Sequence, residues 1–156
     1  MSFKKNIRPS WDEYFMKLAQ VVKTRSNCLR RPYGALIVKD HRIVSTGYNG
    51  TPHGVKNCID GGCERCLRRE RNEIKAHEYQ ESCICVHAEE NAIVQAAYLG
   101  TSTKKATMYS TISPCSSCAK TIINAGIVKY IYYENHHDKA GINLLKKAGI
   151  DVRKIK

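Results

Sequence analysis

Residues 85–97 read CVHAEENAIVQAA, and this stretch places a histidine and a glutamate where a helix is about to begin. Good helix formers follow, and the pattern predicts a helix from about Ala88 to near Gly100. His87 and Glu89 therefore stand two residues apart at the N-terminal end of that helix. A histidine and a glutamate at this spacing arise often by chance, so their meaning depends on what the rest of the chain brings to them.

A second stretch supplies possible partners. Residues 113–122 read SPCSSCAKTI, in which Ser113 and Pro114 predict the N-cap and the first residue of another helix. Cys115 and Cys118 are then three residues apart in the first turn, so both sulfurs lie on one face of the helix. The helix dipole favours the thiolate form of both cysteines at this end.

Two thiolates and one imidazole make a set of zinc ligands. His87, Cys115 and Cys118 are one ligand short of tetrahedral zinc, and that open position separates a catalytic zinc site from a closed structural one. Zinc lowers the pKa of a bound water to about 7. Glu89 would face the metal without binding it and would be free to move a proton. The sequence therefore predicts a catalytic zinc site with Glu89 as the proton shuttle.

The remaining segments alternate between strand and helix patterns. Residues 10–26 predict a first helix with a capping box at its start, and residues 33–49 predict a hairpin that turns near Asp40 and His41. The later elements are a strand at 106–112, a helix ended by Gly126, a strand at 128–135, a helix at 138–149 and a strand at 150–155. The order α-β-β-α-β-α-β-α-β predicts a three-layer α/β/α sandwich around a mixed five-stranded sheet. We expect a single domain over residues 1–156, with a Cys-rich insertion of little regular structure at about 50–84.

Composition excludes several classes of protein. The chain has 156 residues, of which 42% are hydrophobic and 26% charged, and no apolar run approaches the roughly 18 residues that a membrane span requires. The N-terminal residues lack the apolar stretch of an export signal, so we expect a cytoplasmic protein, or one of the host cytoplasm if it is viral. Its eight cysteines should then be reduced, which favours metal binding over disulfides.

The formal net charge is +12, which suggests an anionic partner such as a nucleotide or a nucleic acid. Zinc-bound thiolates offset part of that charge, and the basic residues are spread along the chain instead of forming one tract. Much of the charge is therefore expected to lie on a solvated surface.

Taken together, these motifs resemble those of the zinc-dependent nucleobase deaminases, and more narrowly the deoxycytidylate (dCMP) deaminases. The resemblance extends over nearly the whole chain, through RPSWDEYFM, TRSNCLRR, GYNGTPHG, NCIDGGCERC, CICVHAEENAI, SPCSSCAKTIINAGI and LLKKAGIDVRK. It implies that a zinc-activated water attacks C4 of cytosine while Glu89 moves protons to N3 and to the leaving ammonia, so that dCMP becomes dUMP.

The same resemblance implies residues for the pocket and for regulation. Asn49 would bind the deoxyribose, the Ala88 backbone N–H would hold the base carbonyl, and Arg25, Ser26 and His136 would meet the phosphate. It also implies a homo-oligomer, commonly a hexamer, that dCTP activates and dTTP inhibits, with Mg²⁺ possible beside the triphosphate. The allosteric nucleotide would contact Asn49, Gly50, His53 and Lys56.

Six cysteines remain outside the predicted catalytic site. The insertion has little apolar area to offset the entropy of ordering it, so a second, structural zinc is physically motivated. The resemblance suggests that Cys28 and Cys58 are two of its ligands, and Cys63 and Cys83 are our choice for the others. Cys66 and His77 are alternatives between which the sequence does not choose.

Two rival functions remain. A deaminase of tRNA adenosine or of a free nucleoside or base would keep the chemistry, although GYNGTPHG and the Cys-rich insertion favour a nucleotide substrate, and nucleic acid is not the expected partner. A non-catalytic, zinc-stabilised module that binds nucleic acid is the third reading. Glu89 argues against it, because a purely structural zinc site has no use for an unligated carboxylate.

Overall fold

The computed structural model describes residues 8–156 and joins five strands into one sheet. The strands are β1 (Gly34–Lys39), β2 (Arg42–Tyr48), β3 (Thr107–Ile112), β4 (Lys129–Glu134) and β5 (Asp151–Lys154). They lie in the order β2-β1-β3-β4-β5. Strand β1 is antiparallel to β2 and β3, whereas β3, β4 and β5 are parallel. The predicted mixed five-stranded sheet is confirmed.

Five α-helices accompany the sheet. They are α1 (Trp11–Lys23), α2 (Glu64–Glu70), α3 (Ala88–Tyr98), α4 (Ser116–Asn124) and α5 (Ala140–Lys147), with short 3₁₀ turns at Cys58–Asp60 and Gln80–Ser82. The expectation of little regular structure in the insertion is corrected by α2. Its buried residues are Arg65 and Cys66, so no stripe of apolar side chains marks this helix in the sequence.

Local signals set the first helix and the hairpin where the sequence predicts them. The Ser10 hydroxyl accepts the backbone N–H of Glu13 at 3.3 Å, and the Glu13 carboxylate accepts the backbone N–H of Ser10 at 2.7 Å. Both halves of the capping box are therefore present before α1. Asp40 and His41 have φ angles of 49° and 57°, the left-handed geometry of a tight two-residue turn between β1 and β2.

The start of α4 differs from the prediction. Cys115, not Ser113, is the N-cap, and its sulfur accepts the backbone N–H of Cys118 at 3.4 Å. The Ser113 hydroxyl instead accepts the backbone N–H of His136 at 2.7 Å, so it is committed to a neighbouring loop. Gly126 ends the helix as expected, with a φ of 75°.

Helices cover both faces of the sheet, because successive strand residues point to opposite sides. Helix α1 packs on the first face through Phe15, Met16 and Ala19 against Leu36, Val38, Tyr109 and Ile131. Helices α3, α4 and α5 pack on the second face, where the buried cluster includes Ile37, Ala92, Met108, Ile122, Tyr130 and Leu145. The predicted three-layer sandwich is therefore present.

The predicted domain also includes residues 1–7, which lie outside the described residues. Within residues 8–156, no helix combines the length and the apolarity that a bilayer span demands.

Candidate active site

Backbone contacts fix the position of His87. Val86 and Gly50 exchange two backbone hydrogen bonds, of 2.8 and 3.2 Å, which tie this segment to the end of the hairpin. His87 then serves as the N-cap of α3 in extended geometry, and the Glu90 carboxylate accepts its backbone N–H at 3.4 Å. The imidazole therefore projects from the end of the helix and not from its side.

The structure brings the three predicted zinc ligands together. His87 Nδ1 lies 3.3 Å from Cys118 Sγ and 3.5 Å from Cys115 Sγ. All three ligand atoms lie within 4.8 Å of one another. In a tetrahedral zinc site with ordinary bond lengths, a nitrogen and a sulfur ligand are roughly 3.6 Å apart, so these separations fit zinc. Cys118 is buried and His87 is exposed, which leaves the group accessible from one side.

The three side chains act strongly on one another's pKa values. Hydrogen bonds from Cys118 and then from His87 lower the pKa of the Cys115 thiol to about 3. The hydrogen bond with Cys115 raises the pKa of His87 to about 9. Cys115 is thus held as a thiolate, the form in which cysteine binds metal.

Glu89 lies beside this group, and its side chain is only 3% exposed. Its Oε2 atom is 3.9 Å from Cys118 Sγ, and its Oε1 atom is 3.1 Å from the Tyr130 hydroxyl. Burial raises the pKa of this carboxyl above its ordinary value. The same Tyr130 hydroxyl lies 2.8 Å from the Ile112 carbonyl oxygen, so it links Glu89 to the end of β3. Glu89 is therefore a held carboxyl group next to, but outside, the three-ligand set.

Two glycines allow close backbone contacts at the site, one between β2 and α3 and one between α5 and the loop before α4. A Cβ atom on Gly47 of β2 would lie 2.2 Å from the carbonyl oxygen of Ala88 and 2.3 Å from the nitrogen of Ala92, both in α3. A Cβ atom on Gly141 of α5 would lie 2.0 Å from the carbonyl oxygen of Pro114, the residue before Cys115. The backbone contacts at these glycines thus set the positions of the helix that follows His87 and of the loop that carries Cys115.

The side chain of Asn49 makes three hydrogen bonds inside the protein. Its side-chain oxygen accepts the Tyr33 backbone N–H and the Ser26 hydroxyl, each at 2.7 Å, and its amide group donates to the Arg31 carbonyl oxygen at 2.8 Å. Asn49 is 7% exposed. These contacts give Asn49 a structural role and leave little of its amide free for the ligand that the sequence predicts.

Three other predicted binding residues are connected to His87 by the chain or by hydrogen bonds: Ala88, Gly50 and Ser26. Ser26 bonds to Asn49, which precedes Gly50, the backbone partner of Val86. Ala88 is the first residue of α3, and the backbone N–H groups in the first turn of a helix have no partner within the helix. Ala88, the predicted donor to the base carbonyl, therefore lies at a helix N-terminus.

The predicted phosphate and effector residues lie on the surface around this region. Arg25, His53 and Lys56 are exposed, and His136 is half-buried. The His136 backbone N–H donates to the Ser113 hydroxyl at 2.7 Å, two residues before Cys115, and burial lowers the pKa of the His136 imidazole. His136 Nδ1 accepts the backbone N–H of Asp138 at 3.2 Å, so its Nε2 atom is the one available to a ligand.

Comparison with known proteins agrees with this geometry. The family model described as the cytidine and deoxycytidylate deaminase zinc-binding region matches residues 9–134. The chain belongs to this deaminase family.

Two similar proteins are named deoxycytidylate deaminases. The deoxycytidylate deaminase of Saccharomyces cerevisiae is 41% identical over 148 residues, which are 94% of this chain and 45% of that protein. The deoxycytidylate deaminase of Enterobacteria phage T4 is 37% identical over 165 residues, covering 88% of this chain and 86% of that protein. The chain thus spans about half the length of the yeast relatives that it matches.

A solved structure has the same fold. The crystal structure of the dCMP deaminase from cyanophage S-TIM5, in complex with dCMP and dUMP, is 32% identical with a TM-score of 0.77. The match covers 96% of this chain and all of that one. The predicted membership of the deaminase family and the predicted fold are therefore confirmed.

The six other cysteines of this deaminase-family chain form one cluster, to which the insertion contributes four. Two sets of four have all their sulfurs within 4.8 Å of one another, and they are Cys28, Cys58, Cys66 and Cys85, and Cys63, Cys66, Cys83 and Cys85. The predicted ligands are divided between the two sets: Cys28 and Cys58 fall in one, and Cys63 and Cys83 in the other. Cys66 belongs to both sets, and His77 to neither.

Two site residues were missed by the sequence analysis. Tyr130 is 41 residues from Glu89 in sequence and had been assigned only to a strand. Alternation along β4 could have placed it on the same face of the sheet as α3 and α4, but nothing in the sequence aims its hydroxyl at Glu89. Cys85, which joins both four-cysteine sets, was counted among the remaining cysteines but not chosen as a ligand. Its position two residues before His87 was the available signal.

Proposed function

We propose that this chain catalyses the hydrolytic deamination of dCMP, giving dUMP and ammonia. The observation that carries the proposal is the buried Glu89 carboxyl group beside the cluster of His87, Cys115 and Cys118. The likeness to the cyanophage dCMP deaminase over its full length supports this choice of substrate.

Zinc is the metal that the donor set fits, since one imidazole and two thiolates leave one position for substrate or water. Held by His87, Cys115 and Cys118, zinc supplies the Lewis acidity that makes water nucleophilic near neutral pH. Glu89 would move the protons of the hydrolytic water as its oxygen bonds to C4 of cytosine, one to N3 of the ring and one to the C4 amino group, which then leaves as ammonia. The Tyr130 hydroxyl holds the Glu89 carboxyl in place during these transfers.

The rest of the substrate would be held by groups around the helix N-terminus. The Ala88 backbone N–H donates to the base carbonyl, a role that its position in the first turn of α3 supports. Arg25 and His136 bind the phosphate, with Ser26 beside them. Asn49 contacts the deoxyribose through the part of its amide group that the internal hydrogen bonds leave free.

A comparison of substrates tests this proposal. Ammonia release should be fastest with dCMP and much slower with deoxycytidine, cytidine, dCTP and an RNA hairpin that carries adenosine in the anticodon loop. A site built to hydrogen-bond a phosphate disfavours an analogue that lacks it, because its polar groups are left unpaired. Equal turnover of deoxycytidine and dCMP would overturn the nucleotide assignment. Deamination of the adenosine hairpin alone would make the chain an RNA deaminase.

We also propose a homo-oligomer, with a hexamer as the predicted state. Exposed apolar side chains on the outer side of α3 support association, since Val94 and Leu99 are each 60% exposed and Tyr98 is 89% exposed. Light scattering of the purified chain measures the oligomer, and Tyr98→Glu should shift it toward smaller species. A wild-type monomer at micromolar concentration would contradict the proposal.

Regulation by dCTP as activator and dTTP as inhibitor completes the proposed function. His53 and Lys56 are exposed, and their loop follows Gly50, which pairs with Val86 next to His87. A triphosphate with Mg²⁺ on this loop would therefore act close to a zinc ligand. Measuring dCMP saturation curves with each nucleotide, with and without Mg²⁺, tests this. Identical hyperbolic curves under all conditions would exclude it.

Structural zinc in the cysteine cluster, at least one ion, is the last part of the proposal. The buried sulfurs and the small apolar content of the insertion support it. We also propose a cytoplasmic location.

A further inference from the structure

Six cysteines from four segments of the chain meet in one place. Cys28 comes from the loop after α1, Cys58 from the first 3₁₀ turn, Cys63 and Cys66 from the start of α2, and Cys83 and Cys85 from the segment that leads to α3. None of the six forms a disulfide. Cys58, Cys63 and Cys66 are at most 2% exposed. This group is separate from the catalytic set, to which it contributes no ligand.

The geometry of the group is that of two overlapping tetrads. Each tetrad has four sulfurs within 4.8 Å of one another, and the two tetrads share Cys66 and Cys85. A tetrahedral zinc site with Zn–S bonds of about 2.3 Å separates its sulfurs by roughly 3.8 Å. Cys63 Sγ and Cys83 Sγ, which belong only to the second tetrad, are 3.9 Å apart. The spacing therefore suits metal ligands and is far too long for a disulfide bond.

One zinc ion does not account for this arrangement. An ion in the first tetrad leaves Cys63 and Cys83 unused, and an ion in the second leaves Cys28 and Cys58 unused. Two tetrahedral ions need eight ligand positions, and six thiolates supply eight when two of them bind both ions. The shared residues, Cys66 and Cys85, are the only two within the described chain that belong to both tetrads.

We propose that the six cysteines hold two zinc ions, bridged by the thiolates of Cys66 and Cys85. Cys28 and Cys58 complete the ligand set of one ion, and Cys63 and Cys83 complete the set of the other. The chain then carries about three zinc ions when the catalytic one is included.

A backbone hydrogen bond reaches the cluster from outside. The Leu29 backbone N–H donates to Cys58 Sγ at 3.3 Å. Such outer contacts orient the ligands of metal sites.

The surrounding charge also matches a bridged cluster. Two zinc ions and six thiolates carry a net charge of about −2. Residues 64–75, which include α2, carry five basic and three acidic side chains, a net charge of the opposite sign. Arg65 is buried, and its guanidinium donates to the carbonyl oxygens of Ala76 and Glu78 at 2.7 and 3.0 Å. The insertion thus folds back on α2 with a cation fixed beside Cys66.

The cluster explains how the insertion can fold. Between residues 50 and 84, the buried apolar side chains are Cys58, Cys63, Cys66 and Ile74. This is too little apolar area to order some 35 residues, because each ordered residue costs about 1–2 kcal/mol of backbone entropy. Metal–thiolate bonds replace the missing core.

Metal analysis of the zinc-loaded holoprotein tests the proposal independently of activity. Wild type should contain about three zinc ions per chain, as measured by mass spectrometry of the metals against protein concentration. Two ions per chain, unchanged by added zinc, would overturn the bridged cluster. Iron and inorganic sulfide in place of zinc would overturn it as well.

Matched variants separate the possible arrangements. Cys63 and Cys115 are both helix N-caps with a second cysteine three residues later. Cys115→Ser should remove the catalytic ion alone, whereas Cys63→Ser and Cys28→Ser should each remove at least one ion from the cluster. If either Cys63→Ser or Cys28→Ser keeps the full wild-type content, only the other tetrad holds metal and the proposal is wrong.

Cadmium keeps the proposal testable if the variants do not fold. After replacement of zinc by ¹¹³Cd in wild-type protein, NMR should show two resonances from all-thiolate sites that are coupled to each other. That coupling passes through a shared sulfur and requires a bridge. A single all-thiolate resonance, or two without coupling, would refute the bridging role of Cys66 and Cys85.

Discussion

Replacing Gly47 by alanine tests whether the contact between β2 and α3 positions the catalytic groups. The added Cβ would lie 2.2 Å from the carbonyl oxygen of Ala88, whereas ordinary contact begins near 3.4 Å. The blocking atoms are backbone atoms of Ala88 and Ala92 in α3, so strand and helix must separate by roughly 1 Å. His87 and Glu89 lie at the end of that helix. A misplacement of about 1 Å can cost roughly 100-fold in rate, and overpacking costs about 1–3 kcal/mol in stability.

The assay follows ammonia release from dCMP together with zinc content and thermal unfolding. Gly34→Ala is the matched control, because its Cβ would lie 2.5 Å from backbone atoms of Ala19 and Lys23 in α1, on the opposite face of the sheet. Helix α1 carries no zinc ligand, so this variant should lower Tm but keep kcat within about threefold. The reasoning is refuted if folded Gly47→Ala keeps wild-type kcat and zinc affinity, or if both variants lose activity equally.

Four other substitutions probe separate parts of the molecule. Glu89→Gln should keep zinc and fold but lose about 100- to 10,000-fold in kcat, because the amide cannot accept a proton; a loss below threefold in steady-state assays would exclude the shuttle. Tyr130→Phe should lower kcat by about 3- to 10-fold at unchanged KM through loss of one hydrogen bond to Glu89, and a change in stability alone would contradict this role. Arg25→Glu should reduce kcat/KM for dCMP by about 1.5–3 kcal/mol while sparing deoxycytidine, and an equal loss for both substrates would make Arg25 structural. Ser10→Ala should lower the free energy of unfolding by about 1 kcal/mol in denaturant titrations without affecting kcat, since it removes only the cap of α1.

Removing metal should have two distinguishable effects. A chelator that takes the ion from His87, Cys115 and Cys118 should abolish activity with little change in far-ultraviolet circular dichroism. Loss of metal from the six-cysteine cluster should instead lower Tm and expose residues 50–84 to proteolysis, because the insertion has little other core. Cleavage elsewhere first would show that the insertion does not depend on metal.

Features that depend on short-range spacing could be predicted from the sequence alone. Cys118 falls three residues after Cys115, so helix geometry places both sulfurs on one face, and Glu89 follows His87 by two residues at the start of the predicted helix. Ser10 with Glu13, and the left-handed residues Asp40 and His41, likewise act on their immediate neighbours. The order of predicted strands and helices was sufficient to predict a mixed five-stranded sheet with helices on both faces.

Contacts between side chains that are far apart in the sequence could be read only from the folded structure. The Tyr130 hydroxyl reaches Glu89 across 41 residues, and the amide of Asn49 is occupied by Ser26, Tyr33 and Arg31. The start of α4 moved to Cys115 because Ser113 is bonded to a loop more than twenty residues away. The sequence does not show which of the six clustered cysteines lie together, because the residue type is the same at each position. Their division into two tetrads depends on the path of the insertion. Packing between remote segments leaves no periodic pattern in the sequence, so this division could not be predicted.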